Sequence, residues 1–109
     1  MNELLLTDEE RDRAGARLLA VLDGYERGLA KAEVLPPPDR DRLAELLTTP
    51  MPAQGIGVDA LFDRWEQTVL PNSAAVAHPR FLAYVLGPPN GIAPYAEALA
   101  AALNQNCNI

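Results

Sequence analysis

The sequence predicts a mainly α-helical chain, and three observations carry that expectation. Apolar residues recur at helical spacing in four separate stretches. The stretches are parted by proline-rich connections, and the first is opened by a recognisable helix cap. A hydrophobic content of 49% over 109 residues places the chain among globular rather than disordered sequences.

The first helix begins at Thr7. Thr7-Asp8-Glu9-Glu10 has the capping-box arrangement, a hydroxyl at the N-cap and a carboxylate three residues on. Its acidic first turn also suits the positive end of the helix dipole. Leu18, Leu22, Tyr25 and Leu29 then form one stripe, widened by Ala14 and Val21, and the helix is expected to run to about Glu33. Gly15, Gly24 and Gly28 lie inside it, each costing about 1 kcal/mol relative to alanine. Most of its stability must therefore come from packing against something else.

Leu35-Pro36-Pro37-Pro38 stops this helix, because consecutive prolines lack donors and hold the backbone extended. Asp39-Arg40-Asp41-Arg42 opens a short second helix with Leu43, Leu46 and Leu47 on its apolar face, ended by Thr49-Pro50-Met51-Pro52. A third is expected from about Val58 to Val69, with Leu61, Phe62, Trp65 and Val69 on one face and Trp65 in the core. Phe81-Leu82-Ala83-Tyr84-Val85 reads as an extended segment or a brief strand, and Gly87-Pro88-Pro89-Asn90-Gly91 as a loop. Pro94 suits the first turn of a last helix carrying Leu99, Ala100 and Leu103. Aromatic residues are sparse at 6%, which weakens the case for a self-sufficient core. Helices of such unequal length, joined by irregular loops, look like arms that wrap a partner.

Charge and cysteine usage narrow the function classes. Nine Lys+Arg against 15 Asp+Glu give a net charge of -6, which speaks against a nucleic-acid or anionic-membrane surface, since either needs a basic face. No apolar run approaches the length of a membrane span, and the acidic N-terminus does not read as a signal peptide. Cys107 is the single cysteine and forms no internal disulfide, which fits a reducing cytoplasm.

Few residues invite chemistry. His78 is the only histidine, and no His/Cys cluster has metal-ligand spacing. It either hydrogen-bonds within a loop or lines a pocket with Arg80 and Tyr84. A Cys107/His78 pair lacks an orienting third group. Arg80 stands among apolar residues, so its guanidinium needs a carboxylate, carbonyl or phosphate, whether structural or functional. Asn104, Gln105, Asn106 and Asn108 are poor core material; they either cap helix carbonyls or line a polar pocket or interface. No GxGxxG, phosphate loop, HExxH or GxSxG occurs. Read on its own residues, the chain carries no catalytic apparatus.

Two blocks nevertheless resemble a known family. His78-Pro79-Arg80-Phe81-Leu82-Ala83-Tyr84 and Asn104-Gln105-Asn106-Cys107-Asn108-Ile109 are similar to the N-terminal part of the group II pyridoxal-phosphate-dependent amino-acid decarboxylases, which act on aromatic amino acids, tyrosine, histidine and glutamate. Phe62 to Pro71, a helix ending in Leu-Pro ahead of the His-Pro-x-Phe segment, fits the same pattern, as does the proline connector at Val34-Leu35-Pro36-Pro37. The likeness runs from about residue 10 to Ile109, with only the first two blocks specific.

The resemblance implies the N-terminal helical arm of a fold-type-I enzyme, α/β when complete. Residues 1–75 would be dimerisation helices and 76–109 the truncated start of the substrate-pocket region. It implies a cytoplasmic homodimer using pyridoxal 5'-phosphate and a small amino-acid substrate, with this portion inactive alone. The implied substrate-pocket residues are Tyr84, Val85, Leu86, Gly87, Gln105, Asn106 and Asn108. The aromatic decarboxylases tend to carry Phe-Pro-Thr after the tyrosine and apolar Ile and Phe in the second block. Val85-Leu86-Gly87 and Asn106/Asn108 stand there instead, which leaves a more polar substrate side chain open. The family's Schiff-base lysine, ring-stacking histidine and pyridine-nitrogen aspartate have no counterpart; Lys31, the only lysine, falls on the charged surface of the first helix. The alternative, on the same amphipathic faces, is a free-standing helical dimerisation or interaction module without catalysis.

Overall fold

Local signals set where the helices start. The computed structural model describes residues 5–82 and 90–103, and within them every regular element is helical. Helix α1 spans Asp8–Gly28 and tightens into a 3-10 turn over Leu29–Lys31. Its capping box is fully formed. The Thr7 hydroxyl oxygen accepts from the Glu10 amide at 3.2 Å, while the Glu10 carboxylate accepts from the Thr7 amide at 2.8 Å. Helix α2, Arg40–Thr48, starts at Asp39, whose carboxylate accepts from the Arg42 amide at 3.1 Å.

Helix α3 covers Val58–Arg64 and begins at Gly57, which holds φ at +84°. With its ψ of 161°, that conformation is open essentially to glycine alone. The helix then widens into a π-helical turn, Trp65–Val69, and closes in a 3-10 turn, Leu70–Asn72, around Pro71. Helix α4, Ala93–Leu103, carries Pro94 in its first turn, where the missing amide is not needed. Phe81 and Leu82 adopt no strand; Ala83 to Val85 lie outside the described residues.

The helices meet along only part of their apolar stripes: Leu22 of α1, Leu29 of its 3-10 turn, Phe62 of α3 and Val69 of the π-helical turn are half-buried. The most buried residue of α1 is Val21, whereas Leu18 and Tyr25 are exposed. Trp65, expected in the core, is 44% exposed, and Leu61 is 57% exposed. Leu61 and Trp65 share one side of the helix, four residues apart, and α3 offers α1 its acidic side instead, because the opposing side of α1 is basic. Past Trp65 the π-helical turn takes in an extra residue, so a 3.6-residue period carried on from there misses Thr68, the buried position.

Among the described residues, Val21 and Ala75 are the only buried apolar positions, and no large side chain is fully buried. The radius of gyration is 16.5 Å, against about 13 Å for a compact domain of this length. Hydrogen bonds rather than a core tie the connectors together. Asn72 accepts from the Asp39 amide at 2.6 Å and donates to the Thr68 carbonyl at 2.7 Å, joining the start of α2 to the end of α3. The Ala75 amide donates to the Val34 carbonyl at 2.9 Å, pinning the proline connector against residues 73–78.

Candidate functional site

An ionic row between α1 and α3 is the most organised polar feature. On α1, Arg13 and Arg17 stand one turn apart; along α3 and the π-helical turn, Asp59, Asp63 and Glu66 follow at spacings of four and three. Arg17 donates through Nη2 to Asp63 and to Glu66, both at 2.7 Å, and its Nη1 lies 3.6 Å from Asp59. Arg13 adds Asp59 at 3.2 Å and Glu9 at 3.1 Å. The Arg17 guanidinium also sits over the Phe62 ring, 5.6 Å from its centroid. Its hydrogen bond to Asp63, reinforced by Glu66, raises its already high pKa, so it stays charged at every accessible pH.

This row holds helices together and offers no reaction. Each carboxylate is already taken up by a guanidinium. Both charge rows were present in the sequence at helical spacing. Their partnership was not visible, because 46 residues separate Arg17 from Asp63.

Beside the row runs an apolar groove of about 530 Å³. Its floor is the small-residue side of α1, namely Ala20, Gly24 and Gly28. Its far wall is Leu70, Pro71 and Ala75. A methyl group placed on Gly24 or Gly28 would meet nothing within 4 Å, so neither glycine is required by a close approach within the chain.

His78 takes the loop role foreseen as one of its two options. It is buried, and its Nδ1 accepts from the Arg80 amide at 3.0 Å, which leaves the neutral ring's proton on Nε2. Its own amide donates to the Ala75 carbonyl and its carbonyl accepts from the Phe81 amide, both at 2.9 Å. The side chain thus secures a pair of successive turns. Arg80 is exposed rather than set among apolar neighbours, so it needs no buried counter-ion. Tyr84, Val85, Leu86, Gly87, Gln105, Asn106 and Asn108, the pocket residues implied by the resemblance, lie outside the described residues, as does Cys107.

Among the described residues, no group of three or more His, Cys, Asp or Glu side chains is placed to hold a metal ion. No helix among them is long and apolar enough to cross a membrane. No family model, curated protein or solved structure matches the chain.

Proposed function

We propose that the chain is the N-terminal portion of a cytoplasmic, pyridoxal-phosphate-dependent L-amino-acid decarboxylase, where it contributes part of the interlock between two subunits and part of the substrate pocket. The His78–Tyr84 and Asn104–Ile109 blocks carry the family assignment. The supporting observation from the fold is that capped, proline-parted helices keep Leu18, Leu19, Leu47, Leu61, Leu99 and Trp65 outside, as arms built to be covered would.

The described residues do not fit pyridoxal phosphate. Lys31 is the sole lysine, stands exposed at the end of a 3-10 turn, and is not among the residues that line the neighbouring apolar groove. On this reading the cofactor site belongs to other parts of the enzyme, and the chain is inactive alone. Incubation with pyridoxal phosphate tests this. No absorbance band of an internal aldimine is expected, and a band that disappears in Lys31→Ala would overturn the reading.

A second reading, a free-standing helical interaction module, is favoured by the Arg17 row, which closes α1 on α3 without outside help. The two part on size and shape in solution: a cooperative, well-folded small oligomer supports the module, and aggregation or a loose, partly helical chain supports the decarboxylase arm. An in-frame continuation after Ile109 that contains a His-Lys pair would support the decarboxylase directly.

A further inference from the structure

We infer that helix α4 of a second copy of this chain docks in the groove of α1, reciprocally, so that two copies pair through two identical contacts. The inference concerns this chain alone; it sharpens the two-subunit reading above but stands or falls without pyridoxal phosphate.

The groove and its occupant are both visible. Of the eleven residues of α4, only Glu97 is charged. At 100° per residue, Tyr95 and Leu99 share one side of α4 with Ile92 just ahead of it, and Glu97 falls on the opposite side. That ridge is bare: Leu99 and Ile92 are each 67% exposed. An apolar ridge on one element answers an apolar trough on another. The trough is floored by Gly24 and Gly28, which let a helix approach the α1 backbone closely, as small residues do at tight helix crossings. Within the chain that freedom is unused, since nothing lies within 4 Å of either position's missing methyl group. The glycines therefore weaken α1 with no return until something enters the groove.

Surface area favours a second copy as the occupant. The chain exposes 9441 Å², whereas a compact monomer of its size exposes about 5,900 Å². The surplus, about 3,500 Å² per chain, is more than the roughly 1,000–2,500 Å² that each partner gives to an obligate homodimer. A closed two-fold pair uses ridge and groove twice and leaves neither for a third copy, which avoids an open filament.

Sedimentation of the full chain over a concentration series tests the proposal. A monomer–dimer equilibrium is expected. Leu99→Asp, at a bare position, and Gly24→Leu, which fills the groove while raising helix propensity, should each weaken the dimer at least tenfold with helical circular dichroism retained. Leu19→Ser, exposed on the far side of α1, should leave it unchanged. Then, in a Cys107→Ser background, Gly24→Cys and Leu99→Cys chains are mixed and oxidised, and should give a disulfide joining one of each. A chain that is monomeric throughout overturns both the docking and the pairing. A dimer indifferent to Leu99→Asp and Gly24→Leu, or equally sensitive to Leu19→Ser, overturns the docking only. An aldimine band in the earlier test would leave this result untouched.

Discussion

Helices α1 and α4 treat water in opposite ways. Along α1, charged side chains are spent on a neighbour within the chain: Arg13 and Arg17 meet Asp59, Asp63 and Glu66 on the α3 side. Along α4, ten of eleven residues carry no charge, and the large apolar ones face outward. The difference teaches that this chain closes itself with electrostatics and holds its hydrophobic surface in reserve. That division inverts the usual arrangement of a small domain, in which apolar burial drives closure and charges remain at the rim.

The comparison can be broken most severely at the start of α3. Gly57→Ala would force a side chain into a glycine-only conformation at a cost of about 1–3 kcal/mol. It should displace the acidic row from α1, lowering the thermal midpoint more than any exposed substitution on α4. Arg17→Met comes next. It keeps the length of the side chain but leaves Asp59, Asp63 and Glu66 facing one another without their shared cation. The native chain should weaken from 0.05 to 1 M NaCl as the row is screened, whereas in Arg17→Met salt should steady α1 by screening the leftover repulsion. An equal weakening by salt in Arg17→Met would mean that the row is not what closes the chain.

Gly24→Ala sharpens the contrast from the other side. With open space at that position, alanine should stabilise the monomer by about 0.5–1 kcal/mol, read as a higher midpoint for helix melting. The smallest effect is at Glu10. Its hydrogen bonds from Thr7, backbone first and hydroxyl second, hold its carboxyl below the usual glutamate range. Its contribution to α1 is therefore complete at neutral pH and is lost as pH falls through that lowered value. Helicity of the native chain should decline on acidification slightly more than that of Glu10→Gln, with α4 unaffected.

Helix beginnings were legible because their chemistry is local. The Thr7 box and Pro94 each act within three or four residues and sit where the pattern put them, and the second helix opens at the expected Asp39–Arg42 run, with Asp39 as its cap. The meeting faces were not legible. Pairing Arg17 with Asp63 is a choice made in space, and an apolar stripe by itself does not say whether it is buried now or kept for later. Trp65 shows the second difficulty, since it lies with Leu61 on an apolar side that stays exposed, and the change of helical period beyond it hands the buried position to Thr68. The pocket positions that the family resemblance implies, 84–87, 105, 106 and 108, fall outside the described residues, whereas His78 of its first block is held in a local turn.

One side-chain amide has a bearing on how the chain ages. Asn72 serves as a rivet with two unlike ends, an oxygen gripping the Asp39 amide and a nitrogen gripping the Thr68 carbonyl. Asparagine is among the residues that heat and time convert most readily. Conversion to aspartate would keep the first end and turn the second into a repelling pair of oxygens. A stored sample gaining 1 Da at this position should therefore lose α2 first, seen as protease cleavage in the Pro36–Pro38 connector while α1 stays intact. Ageing at this one amide would then unfasten α2 while the ion pairs of α1 stay in place.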